Sequence, residues 1–149
     1  MTHIAHFNVA RLLHHPSDPR VNEFTSNTQR VNAVAERSPG FVWRLSDAAA
    51  TVTGSGGYQA VAGDPRLAVS MSVWTGLEAF RFFVHKTVHG GFLRRREAWF
   101  EPWDGPNYVI WPIAEGVIPE LAEGFRRLDM LKQNGPSAEA YGMDWAGSA

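Results

Sequence analysis

One stretch constrains the fold more than any other: LAVSMSVWTGLEAFRFFVHKTVHGGFLRRREAWF, Leu67 to Phe100. Leu67, Val69, Met71 and Val73 alternate with Ala68, Ser70, Ser72 and Trp74. A period of two makes a strand with one apolar and one mixed face. Thr75, Gly76, Leu77 and Glu78 follow in capping-box form, the hydroxyl and the carboxylate each placed to satisfy a free amide at a helix start. Leu77, Phe80, Val84 and Val88 then recur at three- and four-residue spacing, an apolar stripe along a helix. The same helix carries His85 and His89 before the Arg94, Arg95 and Arg96 triplet.

The remaining elements are read against that strand–helix unit. His3 to Val9 alternates Ala5, Phe7 and Val9 against Ile4, His6 and Asn8, a strand with one partly polar face. Asp18 and Pro19 form a helix entry, N-cap followed by a residue whose missing N–H costs nothing there. Val21, Phe24, Thr28, Val31 and Ala35 mark the buried side of that helix, which stops at Ser38, Pro39 and Gly40. A short strand covers 41–45, with Phe41, Trp43 and Leu45 on one face and Val42 and Arg44 on the other. Residues 46–66 read as a loop or irregular hairpin. Asn107 to Ile113 forms a last strand, where Pro112 points to a sheet edge. Pro119 opens a final helix with Leu121, Phe125, Leu128 and Leu131 inward, ended by Gly135.

The order β-α-β, β-α-β and an extra helix is α+β, the split βαβ arrangement of ferredoxin-like folds. A single domain over 1–141 with a frayed tail at 142–149 is expected, since 149 residues bury roughly 70% of their unfolded surface. Strands one and three of this scheme lie side by side in the middle, with the helices on one face. The apolar face, Phe7, Val9, Val69, Met71 and Val73, should meet those helices. The other face then carries His6, Asn8, Arg44, Ser70, Ser72 and Trp74. A second copy's sheet laid over it would bury Trp74 and close a shared cavity, giving a homodimeric α/β barrel.

Composition excludes several classes of function. The chain has no cysteine, which removes disulfides, thiolate catalysis and Cys-ligated zinc or iron–sulfur. A net charge of −1 gives no basic excess for nucleic acid or an anionic membrane surface. No run approaches the ~18 apolar residues of a membrane span and no leader pattern opens the chain, so a soluble cytoplasmic protein is expected. Six Trp and nine Phe exceed what a core of this size needs, so some are expected at a cavity or a subunit interface.

SPGFVWRL (38–45), VSMSVWTGLEAFRFFV (69–84), HGGFLRRREAWFEP (89–102) and the closing NGPSAEAYGM resemble an uncharacterised bacterial family of the dimeric α/β-barrel superfamily, related to antibiotic-biosynthesis-monooxygenase-like proteins. The resemblance covers most of the chain. It implies a cavity between helix and sheet as the active site. Within the superfamily the chemistries are cofactorless quinone- or polyketide-type monooxygenation, haem degradation, other haem enzymology and cyclisation. One position departs from the family pattern: His85 stands where a Tyr is usual.

The candidate site residues follow from the mixed face and the helix. Trp74 ends a central strand, where it would wall the cavity or sit at a dimer interface. His6 and Asn8 share one side of strand one, an imidazole and an amide suited to hold a substrate oxygen or to meet enolate-like charge. The bland alternative is a hydrogen bond across the barrel to Ser70 or Ser72. His85 and His89 stand four apart on one helix side, able to act as base or to ligate haem iron, or simply solvated near a helix end. No carboxylate stands between them in HExxH form, so no metal site is expected. Arg44, a charge on a strand, must be paired or must serve an anionic or oxygenated ligand. Tyr108 is a proton donor if its hydroxyl faces the cavity. The Arg triplet is read as surface ion pairs with Glu97, Glu101 or Asp104, and His3, His14 and His15 are given no role.

Three functions follow from these residues. The first is a small dimeric enzyme acting on an oxygenated aromatic or polyketide-like molecule in a Trp-lined cavity, monooxygenase- or cyclase-like and without cofactor. Its catalytic groups are His89, His85, His6 and Asn8, with Trp74, Arg44, Ser72 and Tyr108 binding substrate. The second is a haem protein ligated by a helix His. The third is a dimer that binds a small molecule without turnover.

Overall fold

The computed structural model describes residues 1–46, 51–53, 58–89 and 96–145, with side chains omitted at 51–53, 88, 89 and 96. β1 (Thr2–Arg11) runs between β5 (Asp64–Trp74) and β6 (Tyr108–Ala114), antiparallel to both. The outer edge of β5 is shared. β2 (Phe41–Arg44) pairs with its C-terminal end, and β4 (Gln59–Val61), backed by β3 (Thr51–Thr53), pairs with its start. With α1 (Asn22–Arg37) and α2 (Leu77–His89) as crossovers, the order β2-β5-β1-β6 is the ferredoxin-like arrangement. A short α3 (Arg96–Trp99) follows α2, and α4 (Leu121–Asn134) is the extra C-terminal helix. Pro112 lies on edge strand β6, opposite Ile4.

Local chemistry explains the boundaries. The Asp18 carboxylate accepts the Arg20 N–H at 2.8 Å, opening a tight turn (Pro19–Val21) that runs into α1 at Asn22. α4 ends at Gly135, φ 75°, whose N–H donates to the Leu131 carbonyl. Within 46–66, read as a loop or irregular hairpin, 51–53 and 59–61 form the β3–β4 hairpin and β5 already begins at Asp64. Residues 47–50 and 54–57 lie outside the described residues.

The faces of the sheet correct the expectation that helices cover one side only. α4 packs on the apolar face, over Phe7, Val109 and Trp111. Gly124 makes that seat close: a Cβ there would lie 2.7 Å from the Phe7 ring. α1 and α2 lie on the opposite, mixed face, where Phe80 meets the His6 ring and Ala35 joins the Trp74 cluster. The surface assigned to a second copy is therefore covered by the chain's own helices. The physical reason is that the extra helix takes the apolar face, leaving both crossovers for the mixed one.

A bulge between Phe41 and Trp43 corrects a second expectation. The extra residue puts Phe41 against Trp74, while Trp43 packs with the α4-side core, so the two aromatics do not share a face. The tail holds a third correction. Residues 142–145 are packed: Ile110 and Tyr141 bridge, Trp145 stacks on Tyr141 at 5.2 Å, and Arg81 donates to the Met143 carbonyl. Residues 146–149 lie outside the described residues.

Candidate functional site

Ser70 sits in the middle of β5, a strand paired on both sides and roofed by helices, and is still exposed. Its exposure is to a cavity of about 430 Å³ between the mixed face and the two crossover helices. That volume lies in the range of small-molecule sites.

The strand register builds the floor. Arg44 pairs with Ser72 and Ser72 with His6, a row running across β2, β5 and β1. The next row runs Ser70, Asn8, Tyr108, and the one beyond it Ala68, Ala10. These are small or polar side chains, so the floor is low. The roof comes from Phe24, Thr28 and Val31 of α1 and from Phe80, Phe83 and Val84 of α2, each only partly buried apart from Phe80. Asn27 and Asn32 add amides from α1, and Asn107 and Met143 close the β6 side.

The polar groups are oriented by the protein. The Trp74 indole N–H donates to the Ser72 hydroxyl oxygen at 2.9 Å, and the Met143 N–H donates to the Tyr108 oxygen at 3.1 Å. The Asn8 amide donates to the Asn107 carbonyl at 3.3 Å. Arg44 donates to the Leu45 carbonyl through Nη1 at 3.3 Å. Its Nε lies 3.4 Å from the Glu36 carboxylate, an ion-pair distance, yet out of line for a hydrogen bond. The His6 ring packs against Phe80 at 4.5 Å and Tyr108 at 5.8 Å between centroids. Burial pushes its pKa down to about 3, so the imidazole is neutral at physiological pH. Among the described residues lining the cavity there is no carboxylate and no lysine.

The structure thus brings together His6, Asn8, Ser72, Arg44 and Tyr108 and separates the other candidates from them. Trp74 does not line the cavity. It is fully buried behind the aromatic roof, stacked on Phe83 at 5.0 Å and edge-on to Phe41 and Phe80, so the walls are Phe and Tyr rather than Trp. His85 is exposed and stands away from the cavity, because it follows the inward Val84 by one residue, about 100° round the helix. The side chain of His89 and residues Arg94 and Arg95 lie outside the described residues, as does the side chain of Arg96. Of the acids expected to pair with that triplet, Glu101 meets Arg66 at 2.6 Å and Asp104 meets Lys132 at 3.5 Å.

Asn27, Asn32 and Met143 are lining residues that pattern reading missed. A polar residue on a helix reads as surface, and only the hollow beneath α1 makes Asn27 and Asn32 inward. Haem does not fit the described lining residues. The imidazole in the cavity is wedged between two rings, and Arg44 is the one cation there, among the described residues, for two propionates. No group of three His, Asp or Glu side chains converges as a metal site among the described residues. No helix among them is long and apolar enough to cross a membrane.

The sequence pattern of a domain of unknown function, DUF3291, matches residues 3–148. No functionally curated protein matches the chain. Among solved structures the chain is similar to SnoaB, a cofactor-independent oxygenase from Streptomyces nogalater, with 19% identity over 80% of this chain and 100% of that one, TM-score 0.52. A mutant of the same enzyme matches at 19% identity over 79% and 98%, TM-score 0.49. At this identity the likeness is one of fold.

Proposed function

The chain belongs to the DUF3291 family, and from that premise we propose that it is a cofactor-independent, monooxygenase-like enzyme acting on an oxygenated aromatic or polyketide-like molecule. The observation that carries the reading is the cavity of about 430 Å³ floored by Arg44, Ser72, His6, Asn8 and Tyr108. The fold shared with a cofactor-independent oxygenase supports it.

In this reading the aromatic roof holds the ligand's rings against the floor, and His6 takes a proton from an acidic substrate C–H or O–H. A neutral buried imidazole holds protons poorly, but an oxyanion forming beside it raises its affinity. Arg44 and Ser72 meet the negative charge that develops on the substrate oxygen. The substrate anion gives one electron to dioxygen, the resulting pair joins as a carbon-bound hydroperoxide, and loss of water leaves a carbonyl. One oxygen atom stays in the product. The other leaves as water with the two hydrogens of the substrate CH₂.

A homodimer in the cytoplasm belongs to the same proposal on the strength of the resemblance. Since the described lining comes from one chain, the partner's role in this reading is support rather than supply of the floor. Incubation with anthrones and hydroquinones under an oxygen electrode tests the reading. Uptake above the buffer rate is expected, falling about 100-fold or more in His6→Gln. No uptake and no product with either class contradicts catalysis and leaves a binding protein. A Soret band on haem addition, lost in His89→Ala, would favour the haem alternative instead.

A further inference from the structure

Neutral polar cavities are usually ambivalent, since hydroxyls and amides both donate and accept. Here contacts outside the cavity remove much of that ambivalence. The Ser72 oxygen already accepts the Trp74 indole N–H, and the Tyr108 oxygen already accepts the Met143 N–H. A hydroxyl has one proton, and in each case that proton must point away from the N–H it faces. Among the described residues neither hydroxyl donates to a protein acceptor. Arg44 has only donors, of which Nη1 meets the Leu45 carbonyl and the buried Nε lies toward Glu36. With no carboxylate among the described lining residues, Arg44, Ser72 and Tyr108 are proton-bearing groups of the floor, beside the accepting nitrogen of neutral His6 and the amide oxygen of Asn8.

We propose that the floor is a donor row that selects an anionic, acceptor-rich ligand, with a carboxylate or enolate oxygen at Arg44 and Ser72 and a second acceptor oxygen at Tyr108. This rests on the proposed function and narrows its substrate class. Glu36, half exposed, is the ion partner that the ligand's oxygen displaces from Arg44. Ser72 and Tyr108 stand two strands and two residues apart, roughly 12 Å between Cα positions from the usual strand spacing and rise. A fused two- or three-ring system with an oxygen at each end spans what remains between their side chains.

The test is equilibrium binding of three matched probes, a naphthalene carboxylate, its carboxamide and its carboxamidine, to the full chain by calorimetry. The carboxylate should bind about tenfold or more tighter than the carboxamide, and the carboxamidine weakest of all. Arg44→Gln should bring the carboxylate to within about threefold of the carboxamide, weakening the charged probe more than the neutral one. Glu36→Gln, an exposed change that does not threaten the fold, should tighten the carboxylate by removing its competitor. Carboxamidine binding as tight as the carboxylate, a preference surviving Arg44→Gln, no tightening in Glu36→Gln, or no binding of any probe overturns the proposal. Oxygen uptake plays no part in this order, so a chain that ranks the probes as stated without turnover refutes the enzyme and not the donor row.

Discussion

The two faces of the sheet are made by the same strands and roofed by the same kind of element, yet only one is filled. On the α4 face, Phe7, Val9, Val69, Met71, Val109 and Trp111 are large and buried, and α4 settles so close that Gly124 leaves no room for a methyl. On the other, the alternate positions of the same strands are His6, Asn8, Ala10, Ala68, Ser70 and Ser72, and α1 and α2 rest on them around a hollow. One face supplies stability and the other forgoes it to keep a space. The difference lies in side-chain size at alternate positions, since backbone and register are shared.

The largest expected break in that contrast is on the filled face. Phe7→Ala should cost about 3–5 kcal/mol in urea unfolding, because its ring is fully buried under Gly124 and edge-on to Phe125. Asn8→Ala, one residue along the strand, should cost under about 1 kcal/mol, because it removes a bond at a half-buried, cavity-facing position. Equal losses at the two positions would erase the distinction.

A middle-sized effect comes from His6. Its pKa is lowered from 6.5 to about 3, so below pH 6.5 the unfolded chain binds a proton that the folded chain refuses. The contribution is intact above the unfolded value and is lost as pH falls. Stability should drop by up to about 1.4 kcal/mol per pH unit over the upper part of that window, before carboxylates titrate. His6→Gln should flatten the slope between about pH 6.5 and 4.5, measured by urea unfolding. An unchanged slope would mean that the ring is hydrated.

Much of the fold was legible because β1, β5 and β6 alternate cleanly and α1, α2 and α4 carry apolar stripes. The β3–β4 hairpin was legible only as one of two readings of 46–66, since strands of three residues show no period and depend on pairing with β5. Alternation also says that a strand has two faces without saying what covers each. The mixed face was thus read as waiting for a second copy when α1 and α2 already cover it. For the site, period two sufficed to gather His6 with Asn8 and Ser70 with Ser72. It misplaced Trp74, which shares their phase but ends the strand, where Phe80 and Phe83 fold over it. His85 is exposed, one of the readings its spacing left open, because a pair of His four apart gives the spacing within a helix side and not which way that side turns.

The smallest effect on stability belongs to filling the hollow, and it carries the most direct test of a cavity lined within one chain. Ser70→Leu should change stability by less than about 1 kcal/mol, since the new side chain enters empty space. Calorimetric titration of wild type and Ser70→Leu with a naphthalene carboxylate, with sedimentation run in parallel, reads occupancy per chain. The account requires one molecule per wild-type chain in any oligomeric state and none in the filled variant. One molecule per pair of chains, or undiminished binding in Ser70→Leu, would contradict it.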